Sequence, residues 1–111
     1  MFGSTVEKIM RLGTKKKGAK IVPYLKSRDK QVRMAAIAAL GQAGGEEAFN
    51  SLTYILSSAA DQERIAAVHA LGALGNSKAI SYLMHQLKKE NNPEFDEACK
   101  QSIKQLKEEN K

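Results

Sequence analysis

The sequence predicts an all-α fold, a short α–α superhelix (α-solenoid) built from stacked helix pairs, and two observations support this. Residues 29–44 recur as residues 61–75, with Arg33 and Arg64, 31 positions apart, matched without a gap. Aromatic residues make up only 5% of the chain and tryptophan is absent, so the core must consist of small and aliphatic side chains, which suit closely packed helices. Self-similarity at such a period indicates repeats that bury their apolar faces against one another. We expect one domain, residues 1–111, of about seven antiparallel helices in about three and a half repeats.

The first predicted repeat covers residues 4–28. Ser4 and Glu7 have the spacing of a capping box, in which each side chain bonds the other residue's backbone N–H. Gly13 is placed to end that helix, and a shift of 31 residues lays the helix on its counterpart in the second repeat. Pro23 lacks a backbone donor and clashes with the preceding turn, so it predicts a kink or a break into two short pieces.

The second and third predicted repeats cover residues 29–60 and 61–91. Asp29 and Asp61 are the expected N-caps of their first helices. These helices are apolar almost all round, which indicates that they are covered on several sides. A glycine-containing turn and an amphipathic return helix follow each of them.

A half repeat is predicted over residues 92–111. Asn92 is placed as the N-cap of its helix, and Pro93 as the first helical residue. Apolar residues then recur along one face only. A helix with one polar, solvent-exposed face and one apolar, buried face suits the end of a stack. We therefore expect a small stack with an amphipathic helix at each end.

The segments Val32–Gly41 and Arg64–Gly72 resemble the HEAT repeat family, and in particular the short HEAT-like repeats first recognised in phycobilisome lyases. That pattern is an Asp turn, then Val-Arg-x-x-Ala-x-x-Ala-Leu-Gly, then a return helix with spaced leucines. The third repeat departs from it in two ways: Glu63 replaces the usual Val, and Asp61 lies one residue nearer the Arg. The resemblance implies a fold and little chemistry, because such repeats share architecture.

The resemblance also implies a structural role for the repeated charges. In the family, the Arg and Asp of each repeat bond across neighbouring repeats and hold the stack together. We therefore expect a structural ladder of Asp29, Arg33, Asp61 and Arg64, and regard phosphate binding by the two arginines as the weaker alternative.

The net charge of +6 is unevenly distributed. Residues 1–33 carry ten basic and two acidic side chains, or +8, whereas the remaining residues sum to −2. Such asymmetry indicates an acidic partner for this third of the chain, which could be a nucleic acid, an anionic protein or a membrane surface. No aromatic residues interleave these lysines to stack on bases, and lysines also serve solubility. The possible anion patch comprises Lys15, Lys16, Lys17, Lys26, Arg28 and Lys30.

A second candidate surface lies on the return helices, which the resemblance implies line a concave face where partners bind. Exposed positions there form columns from repeat to repeat. Tyr and His contribute both contact area and a hydrogen bond at interfaces, although exposed tyrosines occur on any surface. The predicted partner-binding residues are Lys20, Tyr54, Tyr82, His85 and Lys88.

The sequence lacks the residue patterns expected of an enzyme's active site. His69 and His85 lack the spacing of metal ligands, and Cys99 lies in an apolar stripe typical of a core residue. Gly41 and Gly44 are interpreted as helix ends rather than a phosphate-binding loop. We expect no cofactor and no metal. No apolar run approaches the ~18 residues of a membrane span, no secretory leader is visible, and a single cysteine fits the cytoplasm.

These observations favour a non-enzymatic adaptor that presents a concave helical surface to another protein, whose surface we expect to be acidic. The alternative is a nucleic-acid-binding accessory protein that uses the basic N-terminal third. A more distant possibility is a lyase-like factor that handles a chromophore or a metal. We expect a monomer or a weak homodimer.

Overall fold

The structure, a computed structural model, describes residues 2–89 and 92–110 and confirms the all-α fold. The end of the third predicted repeat, at residue 91, lies outside the described residues. The described chain forms seven α-helices and one 3₁₀ helix, in the order α1 Phe2–Thr14, α2 Gly18–Ile21, the 3₁₀ helix Val22–Lys26, α3 Lys30–Ala43, α4 Gly45–Ser58, α5 Asp61–Leu74, α6 Ala79–Lys89 and α7 Pro93–Glu109.

Helix α1 corrects two predictions about its ends. It begins at Phe2, so Ser4 lies within the helix and is not the N-cap of a capping box. It continues past Gly13 to Thr14 and ends through Lys16, whose φ is 59°. The N–H of Lys16 bonds the carbonyl of Gly13, and the N–H of Lys17 bonds that of Leu12, which is the Schellman pattern of a helix C-terminus. A lysine therefore occupies the left-handed position predicted for glycine.

The break predicted at Pro23 is confirmed. Helix α2 is only four residues long and gives way to the 3₁₀ helix, which has Pro23 in its first turn. Proline is tolerated there, because the first donors of a helix have no partner within it. The first return segment is consequently short and irregular, unlike α4 and α6.

Of the three N-cap predictions for the later helices, two are confirmed and one is wrong. Asp29 caps α3, its Oδ1 accepting from the N–H of Val32 at 3.2 Å, and Asn92 caps α7 in the same way. Asp61 is not a cap: it is the first residue of α5, and Ala60 occupies the N-cap position. Asp61 precedes the arginine of its repeat by three residues, whereas Asp29 precedes Arg33 by four. The Asp61 carboxylate therefore lies 3.3 Å from Arg64, one helical turn on, and does not cap the helix.

The helices form two rows. α1, α3, α5 and α7 pack side by side in the first row, while the second contains α2 with the 3₁₀ helix, α4 and α6. The molecule measures 39 × 30 × 17 Å, and its smallest dimension matches two helix layers. The core lies between the rows and includes fully buried Leu40, Leu52, Leu71, Leu83 and Phe95.

The first-row helices approach closely through glycines that lie inside helices. Gly41 is buried in the last part of α3, so its interpretation as a helix end is wrong. A Cβ on Gly41 would lie 2.8–2.9 Å from Ala70 of α5, and one on Gly13 would lie 3.1 Å from Ala39 of α3. Gly13 is thus the counterpart of Gly41, so α1 matches α3 at a shift of 28 residues instead of the 31 predicted.

Candidate functional site

A groove runs between the 3₁₀ helix and α4 in the second row. It encloses about 460 Å³, which is within the ~300–1,000 Å³ typical of ligand sites. Most of its surface is apolar, and the buried Ile37 of α3 is one of the residues beneath it. The residues that line it are Val22, Leu25, Lys26, Arg33, Ile37, Asn50, Ser51, Tyr54, Ile55, Ala59 and Glu63.

The groove exists because the second-row helices hardly touch one another, in contrast to those of the first row. The 3₁₀ helix packs on α3 and makes no substantial contact with α4, since the break at Pro23 leaves it too short to follow that helix. Tyr54 on α4 borders the opening and is 72% exposed. Exposed aromatic area beside an apolar floor is typical of a contact surface.

An ion pair closes one end of the groove. Arg33 Nε donates to Glu63 Oε1 at 2.6 Å, and Arg33 Nη1 donates to the carbonyls of Ser27 and Arg28 at 2.9 and 3.1 Å. The two side chains are 27% and 14% exposed, so the pair is largely shielded from water. Arg33 thus joins α3 to the start of α5 and to the connection before α3, and its charge is neutralised inside the molecule.

Arg64, the counterpart of Arg33 in the next repeat, has a different set of contacts. Its Nε donates to the carbonyl of Leu56 at 2.6 Å, and its Nη2 lies 3.5 Å from Gln86 Oε1. The guanidinium also lies over the ring of Phe95 at 4.3 Å, a cation–π geometry. Arg64 therefore touches α4, α6 and α7, while the Asp61 carboxylate reaches both Arg64 and Asn92.

The structure brings together only part of the predicted partner-binding set. Tyr54 lies at the groove, as does Lys26 of the predicted anion patch. Tyr82 lies on the other side of α4, in a more polar depression, with its ring edge-on to Phe49 at 5.7 Å. Lys20, His85 and Lys88 are exposed and line neither depression.

The predicted anion patch is divided between the two ends of α3. Lys16 Nζ donates to the carbonyl of Gln42 at 3.2 Å, near the C-terminus of α3, and places the Lys15–Lys17 turn there. Lys30, the first residue of α3, donates to Gln62 of α5. A helix of 14 residues is ~20 Å long, so Arg28 and Lys30 lie about that far from the Lys15–Lys17 turn.

Most of the groove residues were not identified from the sequence. Val22, Leu25, Ile37 and Ile55 have the spacing of ordinary core residues, and Ile37 and Ile55 are buried. The gap between the 3₁₀ helix and α4 makes all four part of the groove lining. Glu63 did carry a signal, because it stands where the repeat pattern has Val. Its carboxylate is the partner of Arg33.

Residues 2–89 and 92–110 contain no cluster of three or more His, Cys, Asp or Glu side chains able to hold a metal ion. In the same part of the chain, no helix has the length and apolar character needed to cross a membrane. Cys99 is fully buried in the core. A family model described as HEAT repeats matches residues 18–104. A comparison with curated proteins gives no match.

Proposed function

The chain belongs to the HEAT repeat family, and we propose that it is a non-enzymatic adaptor whose second row of helices binds another protein. HEAT repeats generally mediate protein–protein interactions and are scaffolds rather than enzymes. The second row consists of the return helices, which the resemblance implies line a concave face where partners bind. Tyr54, Tyr82, His85 and the lysines at positions 20 and 88 are its proposed contacts.

The observation that carries this proposal is the apolar groove between the 3₁₀ helix and α4. It is open to solvent, lined by the half-buried Val22 and Leu25, and bordered by the exposed Tyr54. Burial of apolar surface drives most protein association, at about 25 cal/mol per Å² removed from water. A partner side chain that enters the groove would gain this term without rearranging the core.

The proposed mechanism is rigid display. The first row and the core are tightly packed, and Arg33 and Arg64 connect successive helix pairs through hydrogen bonds of 2.6 Å to Glu63 and to the Leu56 carbonyl. A surface held in this way loses little conformational entropy when it binds a partner. We further propose a cytoplasmic location, in keeping with the single cysteine, and a monomeric or weakly dimeric state, which analytical ultracentrifugation would measure.

Affinity capture from native lysate tests the proposal. The immobilised chain is incubated with two halves of one lysate, one treated with nuclease, and the Tyr54→Ala and Tyr82→Ala variants are run beside it. We expect a protein that survives nuclease treatment and is captured more weakly by Tyr54→Ala. Loss of every protein band on nuclease treatment would contradict an adaptor role.

The second candidate function is nucleic-acid binding by the basic N-terminal third. In its favour, Lys15, Lys17 and Lys20 are exposed and have no carboxylate within 4 Å in the described part of the chain. Phosphate contacts predict a linear fall of log affinity with log salt, with a slope of about −0.9 per neutralised phosphate. The test is a salt titration with duplex and single-stranded oligonucleotides. Under this function Lys15→Glu and Lys17→Glu reduce the slope, and Lys88→Glu, on α6, leaves it unchanged.

A further inference from the structure

We propose that the groove between the 3₁₀ helix and α4 binds a short acidic peptide segment of the partner protein, which inserts one bulky apolar side chain. This inference rests on the proposed adaptor function and specifies the ligand of its groove. The apolar residue would lie among Val22, Leu25 and Tyr54, and Asp or Glu residues beside it would face the 3₁₀ helix.

The size of the groove favours a side-chain anchor. Its volume of about 460 Å³ accommodates one or two large side chains, but not a folded element. A single aromatic side chain buries ~150–250 Å², and one deeply inserted anchor commonly provides most of the binding energy at an interface. The apolar lining suits a side chain such as Leu, Met or Phe.

The wall formed by α4 suits a peptide main chain. Asn50 and Ser51 line it beside Tyr54. An amide side chain donates and accepts hydrogen bonds, as does a hydroxyl, so this wall can satisfy the N–H and C=O groups on either side of the anchor. The wall carries no charge of its own among its lining residues.

The charge of the opposite wall determines which peptide fits. Arg33 and Glu63 neutralise each other, which leaves Lys26 as the uncompensated charge of the lining. The only acid among residues 15–30 is Asp29, and its Oδ1 is engaged in capping α3. Carboxylates of the ligand would therefore be attracted to Lys26, on one side of the groove only, and this attraction orients the peptide.

The experiment begins with selection from a random-peptide display library on the immobilised full-length chain. Enriched peptides are then labelled, and their affinities are measured by fluorescence anisotropy. We expect a shared motif in which a bulky apolar residue has Asp or Glu next to it. Libraries of this kind contain basic and neutral peptides as well, so the enriched composition is itself a result.

Two pairs of variants locate the site. Ser51→Trp fills the groove and should weaken binding by about tenfold or more, while Ser57→Trp, an exposed position on α4 outside the lining, should change it by less than about twofold. Lys26→Glu should weaken binding several-fold and reduce its salt dependence. Lys104→Glu, which removes an exposed lysine from α7 in the first row, should have no effect.

Several outcomes would overturn the inference. The selection could enrich no peptide, or it could enrich a motif without acidic residues. Alternatively, Ser51→Trp could bind the enriched peptides as tightly as the wild type does. If Ser51→Trp fails to fold, as judged by its circular dichroism against Ser57→Trp, Tyr54→Ala takes its place and equal binding by that variant is decisive. A lysate partner that Ser51→Trp still captures would overturn the peptide site but leave the adaptor function intact, whereas capture of no protein would overturn the adaptor function.

Discussion

Replacing Gly41 by alanine should destabilise the protein, although alanine is the better helix former. Gly41 lies inside α3 and is buried against α5. A Cβ at this position would lie 2.8 Å from the carbonyl oxygen of Ala70 and 2.9 Å from its Cα and Cβ. Two of these three atoms belong to the backbone, so no side-chain rotation can relieve the clash, and α3 must move away from α5 by about half an ångström to restore ordinary contact.

The sign of the effect depends on two opposing terms. Gly→Ala in a helix interior stabilises by about 1 kcal/mol through propensity. Overpacking of a well-packed contact costs about 1–3 kcal/mol, and this backbone contact belongs at the upper end. We therefore expect a net loss of about 1–2 kcal/mol in the free energy of unfolding, which corresponds to a melting temperature lower by about 4–8 °C.

Other glycines of the chain provide a graded control series for urea and thermal unfolding. Gly3 lies in α1, and no described atom outside its own helical turn lies within 4 Å of its added Cβ, so Gly3→Ala should be neutral or stabilising. Gly13→Ala meets Ala39 at 3.1 Å and should be intermediate. Gly72→Ala meets Ser102 Oγ and Gln105 Oε1, which can rotate away at the expense of the Ser102 bond to Val68, so it should cost less than Gly41→Ala.

The order of the series is what tests the reasoning. If Gly41→Ala is as stable as wild type, or if its free energy of unfolding changes by the same amount as that of Gly3→Ala, then the close approach of α3 and α5 does not limit packing. The proposed basis of the first row would then be wrong.

Three further substitutions test contacts between helices, each measured by urea unfolding. Arg64→Ala should cost about 2 kcal/mol, because it removes the bond to the α4 carbonyl and the Phe95 contact. Lysine has no planar guanidinium that can make both contacts at once, so wild-type stability of Arg64→Lys would contradict this explanation. Asn92→Ala should cost about 1 kcal/mol as a lost N-cap and speed amide exchange in the first turn of α7; unchanged exchange would contradict this. Ser102→Ala should cost about 1 kcal/mol, because buried Ser102 donates to the Val68 carbonyl at 2.9 Å, and a more stable variant would show that this bond contributes nothing.

The fold was predictable because helical periodicity and caps are local signals. Asp29 and Asn92 cap the helices they precede, and Pro23 divides the first return segment, as expected. The errors arise where tertiary packing determines the role of a residue. Gly13 has the sequence context of a helix end, but a packed helix also needs glycine where another backbone approaches, and only the neighbouring helix distinguishes the two cases.

The candidate site was less predictable, because a groove is a property of the space between elements. Tyr54 and Lys26 were identified as exposed residues with suitable chemistry, yet nothing local indicated that they border the same opening. Residues such as Ile37 follow the core pattern in every respect. Whether such a residue borders a groove depends on the distance between α4 and the 3₁₀ helix, which periodicity does not encode.

The first-row helices pack closely and the second-row helices stay apart because the two rows have side chains of different sizes where their helices face one another. Where the first-row helices meet, the contacts are glycine against alanine or serine, so the backbones approach closely. The second row contains Tyr54, Phe49 and Tyr82, and its helices make few contacts with one another. Because each second-row helix is held by the first row rather than by its own neighbours, the spaces between them remain open without loss of core packing. A repeat protein built in this way can change the side chains that border its grooves while the buried glycine contacts preserve the fold.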